Sequence, residues 1–148
     1  MIMNSFEGAP LPVYGDGLYV RDWIHVQDLV DGMATVLEKG SEGEIYNLGG
    51  DSEETNLTIV KELIRLTGGS EDLIRHVPDR PGHDRRYAID HSKISEELGW
   101  HPTVDLSEGL AETVEWYRLN GEWVDSIRSG AYTEYYEAQY ASRLTAEA

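Results

Sequence analysis

Residues 11–26 read Leu11-Pro12-Val13-Tyr14-Gly15-Asp16-Gly17-Leu18-Tyr19-Val20-Arg21-Asp22-Trp23-Ile24-His25-Val26. From Leu11 to Ile24 the apolar residues alternate loosely, and Gly15-Asp16-Gly17 punctuates them, which predicts two short extended segments joined by a turn. At Val26 the period changes. Val26, Leu29, Val30, Met33 and Leu37 follow helical spacing, and Gly40 stops the run. Short strands feeding directly into a helix indicate a mixed α and β fold.

The same logic extends in both directions. Upstream, Ile2, Met3 and Phe6 form the last apolar face of a helix ending at Gly8, with no earlier turn before it, so the chain is expected to begin inside an element. Downstream, Glu44-Ile45-Tyr46-Asn47-Leu48 predicts a strand closed by Gly49-Gly50. A helix starts near Asn56 and carries Ile59, Val60, Leu63, Ile64 and Thr67 to the Gly68-Gly69 stop. A strand around His76-Val77 precedes the irregular run 79–86, where Pro and Gly oppose regular structure. Tyr87-Ala88-Ile89 is extended again. Asp90 is suited to cap a short helix with Ile94 and Leu98 inside, ending at Gly99. Asp105 and Glu108 have capping-box spacing for a helix facing inward through Leu106, Leu110, Val114 and Tyr117. The tyrosine-rich stretch from about 120 to 148 is expected to be a helical tail. Without repeats or a long linker, residues 1–148 read as one unit, closer to an attached lobe than to a complete doubly wound sheet.

A chain of 148 residues is long enough to bury roughly 70% of its unfolded surface. No apolar run approaches the roughly 20 residues that span a bilayer, so no membrane partner is expected and the cytoplasm is the default location. The absence of cysteine excludes disulfides and thiolate metal sites. Acidic residues number 28 against 12 basic ones, a formal charge of −16. That field repels phosphate backbones, which argues against nucleic acid as a partner. Because the acidic excess is spread along the whole chain and lysine is confined to Lys39, Lys61 and Lys93, the composition fits a saline, halophilic cytoplasm, with ordinary acidic solubility as the alternative.

Against that background Arg75, Arg80, Arg85 and Arg86 stand out, clustered in and beside one irregular segment. A guanidinium fork matches phosphate oxygens, and the Pro81-Gly82 turn can bring it and the His83 imidazole to an anion. The competing interpretation pairs these arginines with Asp79, Asp84 and surface acids. Tyr14, stiffened by Pro12 and Val13, offers a ring to a nucleobase or to the core. Arg21 could reach a pyrophosphate or pair with Asp22 or Asp28. Asn56 is placed as a helix N-cap or as a ligand contact at that positively polarised end. The five histidines lack the helical spacing of a zinc site, and all but His83 read as surface or turn residues; the four tryptophans read as packing residues. Neither a Gly-x-Gly-x-x-Gly loop nor a Tyr-x-x-x-Lys pair occurs, so no cofactor-binding or catalytic residue is assigned and no metal is expected.

These segments carry a resemblance. Pro12-Val13-Tyr14-Gly15-Asp16-Gly17, Arg21-Asp22-Trp23-Ile24-His25-Val26, Tyr46-Asn47-Leu48-Gly49-Gly50, Ser92-Lys93-Ile94, Leu98-Gly99-Trp100-His101-Pro102, Thr113-Val114-Glu115-Trp116-Tyr117 and Ser129-Gly130-Ala131-Tyr132 together resemble the second half of dTDP-glucose 4,6-dehydratases. Arg-Asp-Trp and Leu-Gly-Trp-x-Pro recur across extended short-chain dehydrogenases. The run Asp79-Arg80-Pro81-Gly82-His83-Asp84-Arg85-Arg86-Tyr87 is more particular to the dehydratases. The resemblance implies an α/β fold, the C-terminal substrate-binding lobe of an extended short-chain dehydrogenase, with the Rossmann half absent. It implies that Pro12, Val13 and Tyr14 line a thymidine site, that Arg21 holds the pyrophosphate, and that Asn56 with Asp79, Arg80, Pro81, Gly82 and His83 completes a nucleotide-sugar pocket. It further implies NAD in the complete enzyme but not on this chain, and one of two origins for the missing Rossmann half: a broken coding region or misassigned start, or a separate chain that supplies it as a partner. A stand-alone sugar-nucleotide binding module, a gene remnant, and a lobe of a UDP-sugar epimerase or decarboxylase are the alternatives.

Overall fold

The computed structural model describes residues 1–128, 135–136 and 139–140. Helix α1 (Ile2–Phe6) leads to strand β1 (Leu11–Tyr14), the turn at 15–17, strand β2 (Val20–Asp22) and helix α2 (Val26–Lys39). Strand β3 (Glu53–Thr55), helix α3 (Asn56–Thr67), a 3-10 turn (Glu71–Leu73) and strand β4 (Ile74–Val77) follow. Helices α4 (Ser92–Leu98), α5 (Leu106–Leu119) and α6 (Gly121–Arg128) complete the order. The tail motif at 129–132 lies outside the described residues.

The two expected extended segments form but do not pair with each other. β1 pairs in parallel with β4, Leu11 opposite Ile74 and Tyr14 opposite Val77, whereas β2 pairs antiparallel with β3, Val20 opposite Thr55. Parallel neighbours need a long crossover, and α2 and α3 lie within it. β3 was not foreseen; its Glu-Glu-Thr sequence has no apolar alternation, and pairing with β2 defines it.

Helix α3 occupies the centre. Val60 and Ile64 pack on Leu11 and Val13 of β1, closed by Leu73 and Ile74. Ile59 and Leu63 instead meet Val114 of α5, with Ile2, Phe6, Trp23 and Leu110 around them. The apolar stripe read as one side of a helix thus divides between two neighbours, each buried side chain contributing roughly 1.5–3 kcal/mol. Thr55, not Asn56, caps α3, since its side chain accepts from the Thr58 amide. Asp105 caps α5 as its spacing implied, accepting from Ser107 and Glu108. At α4 the cap position belongs to His91, while Asp90 reaches across to accept from the Ser92 amide at 2.9 Å.

Helix α2 forms where the spacing placed it, but its apolar side does not form core. Val26, Val30, Met33 and Leu37 are exposed, Leu37 to 88%. The helix is anchored by its other face. Gly32 meets Leu48 and Trp100 so closely that a Cβ would sit 2.6 Å from Leu48. Buried Asp28 accepts from the Thr103 and Val104 amides and the Thr103 hydroxyl at 2.9–3.1 Å. Glu44–Leu48 does not form the expected strand: a strand needs a hydrogen-bonded neighbour, and none of the described residues supplies one. Ile45 is consequently 80% exposed.

Candidate functional site

β1 and the run after β4 lie side by side because β1 and β4 pair in parallel, so both emerge at the same end of the sheet. Tyr14, the last residue of β1, therefore meets the 79–83 segment. There Arg80-Pro81-Gly82-His83 makes a tight turn, with the His83 amide donating to the Arg80 carbonyl at 3.2 Å. Proline sits at the second position and Gly82, at φ +68°, at the third, the requirements of a type II turn.

That turn folds His83 back under Tyr14 and Tyr19. Its side chain is only 4% exposed, its ring stacks on Tyr19 at 3.9 Å, and it meets Tyr14 edge-on at 6.0 Å. Nδ1 lies 2.7 Å from an Asp79 oxygen and Nε2 lies 2.9 Å from the Arg21 guanidinium. The Tyr19 hydroxyl donates to the second Asp79 oxygen. Burial works to raise the Asp79 pKa, but His83 and the Arg80 backbone amide outweigh it and hold the carboxyl below its ordinary value.

The arginines separate into distinct roles. Arg85 is clamped by both oxygens of Asp16 at 2.8 Å, which holds the Asp16 carboxyl down to about 2. Arg86 makes the same fork on Glu53, and Arg75 donates to the Asp72 and Ile74 carbonyls. For these three, intramolecular pairing is the outcome. Arg80 differs: among the described residues its guanidinium has no carboxylate partner and lies 5.2 Å from the Tyr14 ring centroid. Arg21 pairs with neither Asp22 nor Asp28, whose carboxylates are taken by the backbone amides of Gly50, Ser52, Thr103 and Val104. It donates instead to the Val20 and Asp84 carbonyls and to His83, and lies over the Tyr87 ring at 4.5 Å.

Tyr14 also lines a hollow of about 620 Å³, together with Pro12, Val13, Asn56, Trp23, Tyr117 and Tyr140. Burial and a hydrogen bond to Tyr14 push the Tyr140 phenol up to about 12. Of the ten residues singled out from the sequence, Pro12, Val13, Tyr14 and Asn56 therefore share the hollow. Asp79 and His83 form a network with Arg21 that meets Tyr14 through the His83 ring, Arg80 lies against the Tyr14 ring, and Pro81 and Gly82 form the exposed turn tip. The N-terminus of α3 is not an open anion cradle: the amides of Asn56 and Leu57 donate to the Tyr19 and Gly17 carbonyls, and that of Thr58 to Thr55. Among the described residues, what Asn56 contributes to the hollow is its side chain, since its backbone amide is taken by Tyr19.

Sequence reasoning missed Tyr19, 8% exposed and central to the network; its place in the alternating segment marks it as one more inward residue. His25 and His91 were expected at the surface or in turns, yet their side chains are 14% and 13% exposed, beside Glu112 and Asp51. Trp100 is buried, but Trp116 and Trp123 pack on each other, roughly half exposed, at a second hollow of about 620 Å³ between α5 and the start of α2.

A family model described as GDP-mannose 4,6 dehydratase matches residues 1–113. The dTDP-glucose 4,6-dehydratase of Salmonella typhimurium is 44% identical over 150 residues, covering 97% of this chain and 42% of the relative. A solved dTDP-glucose 4,6-dehydratase from Bacillus anthracis in complex with NAD is similar with a TM-score of 0.77 and 48% identity, over 82% of this chain and 39% of that one. DesIV, the dTDP-glucose 4,6-dehydratase of Streptomyces venezuelae with NAD and TYD bound, gives 0.79 and 46%, over 82% and 38%. The chain spans about two fifths of the length of these relatives. The resemblance carried by the motifs is upheld, and the α/β architecture matches part of the extended short-chain dehydrogenase fold.

Proposed function

The chain belongs to the GDP-mannose 4,6 dehydratase family, and we propose that it is the nucleotide-sugar-binding portion of a dTDP-glucose 4,6-dehydratase, the enzyme that converts dTDP-glucose to dTDP-4-keto-6-deoxyglucose. The observation that carries this is the convergence on Tyr14. The Arg80 guanidinium and the His83 ring both meet it from a segment more than sixty residues away, at the edge of a hollow lined by Pro12, Val13 and Asn56. A thymine ring against Tyr14 would leave its diphosphate within reach of Arg80, with Arg21 and His83 behind. Such an arrangement suits a ligand that is aromatic at one end and anionic beside it.

NAD is held by the solved dehydratase relatives, and in the complete enzyme it would supply hydride transfer. The described residues do not fit it. A dinucleotide pyrophosphate needs a glycine turn opening a helix, whereas the turn at 15–17 leads into β2 and Gly50 is wedged against the Trp23 carbonyl. No step through NAD is assigned to this chain. Its part is to bind and orient the nucleotide, and the exposed side of α2 together with residues 44–48 suits docking of a separate Rossmann half.

Titration of the purified chain with dTDP tests the binding role. Micromolar affinity needs about 8 kcal/mol, and a charged arginine contact supplies about 1.5–3 kcal/mol, so the lobe alone should bind weakly. Arg80→Ala, Arg21→Ala and Tyr14→Ala should each weaken it further. Unchanged titration curves for all three would refute the site. The purified chain should form no 4-keto sugar from dTDP-glucose, and turnover by it alone would refute the restriction to binding.

A further inference from the structure

We infer that Tyr19 is a positioning residue of this site, holding His83 in the tautomer that lets Arg21 donate to it; the inference rests on the nucleotide-binding role proposed above. Arginine can only donate hydrogen bonds. At 2.9 Å from the Arg21 guanidinium, His83 Nε2 must therefore present its lone pair, and the ring proton must sit on Nδ1, donated to Asp79 at 2.7 Å. A proton on Nε2 would set two donors against each other.

What maintains that orientation is Asp79, and what maintains Asp79 is Tyr19. One carboxylate oxygen takes the His83 proton and the Arg80 amide, at 2.7 and 2.8 Å. The other takes the Tyr19 hydroxyl. The Tyr19 ring also lies flat on the imidazole, 3.9 Å between centroids and 15° between planes, so it restrains the ring as well as its acceptor. Arg85, immobilised by Asp16, lies 4.7 Å from the Tyr19 ring centroid. The backbone adds a further tie, since the Tyr19 carbonyl accepts from Asn56, a lining residue of the hollow. Tyr19 thus links both halves of the site without lining the hollow.

The test uses the whole chain labelled with nitrogen-15. Long-range proton–nitrogen spectra assign the His83 tautomer directly, and dTDP titrations run on the same samples. The wild-type chain should show Nδ1 protonated and Nε2 bare. In Tyr19→Phe, which keeps the stacked ring and removes the hydroxyl, an Nε2–H population should appear, and the Kd for dTDP should rise roughly three- to tenfold, the range of one lost hydrogen bond. Asp79→Asn, with the phenol intact, should shift the tautomer in the same direction. A His83 tautomer unmoved by both substitutions overturns the inference, as does a shifted tautomer with unchanged dTDP affinity. Failure of the wild-type chain to bind dTDP would sink the nucleotide-binding role, while the spectra would still decide whether Tyr19 and Asp79 set the imidazole.

Discussion

Gly50 lies where no side chain fits. A Cβ there would be 1.9 Å from the Trp23 carbonyl oxygen, because Asp22 draws the Gly50 and Ser52 amides onto its two oxygens at 3.0 and 3.1 Å. Gly50→Ala should destabilise the fold by at least about 2 kcal/mol, read as a lower urea midpoint; an unchanged midpoint would mean the loop can retreat without cost. Asp22 shows where residue-level reading from sequence stops. The Arg21-Asp22 adjacency suggested an ion pair, yet backbone amides twenty-eight and thirty residues further along hold the carboxylate. Adjacent side chains in a strand point to opposite faces, so neighbours in the chain are poorly placed to pair.

Helix α2 is the element whose pattern and environment disagree. Its spacing is that of a core helix, but Met33 and Leu37 are 60% and 88% exposed, and Asp28 and Gly32 on the other face make the buried contacts. Replacing Met33 and Leu37 together by lysine should change folding stability by no more than about 0.5 kcal/mol, the scale of an ordinary surface change. The same pair should abolish binding of a hydrophobic dye and docking of a separately produced Rossmann half. A large loss of stability would place this face in the core of the isolated chain and remove the docking proposal. Residues 44–48 follow the same logic, since composition can favour extension but only a neighbouring strand completes a ladder.

At the scale of the molecule, electrostatics governs the response to solvent. Glu7, Asp28, Glu53 and Asp79 are held below their ordinary carboxylate values, and Asp16 at about 2. Groups depressed in the folded state bind more protons when unfolded, so their contribution is complete above the unfolded values near 4 and is lost as pH falls through the folded ones. The thermal midpoint should therefore fall steadily from about pH 5 to about pH 2, and a flat profile would contradict these ion pairs. Near neutrality, 28 acidic against 12 basic residues should make the midpoint rise between about 0.1 and 1 M KCl, as the screening length contracts from about 10 to about 3 Å; a falling midpoint would show that paired charges outweigh the repulsion. Helices α1 to α5, the glycine stops at Gly8, Gly40, Gly68 and Gly99, the two short extended segments between Leu11 and Ile24, and the family motifs were legible in the sequence, because each depends on residues a few positions apart; the end of α5 at Leu119 and the separate α6 were not. Folding alone decided that Arg21 meets His83 and Tyr19 meets Asp79 across about sixty residues, and that one apolar helix face is buried while another is bare. Periodicity reports which side of an element is apolar; what covers that side depends on the packing of distant chain segments.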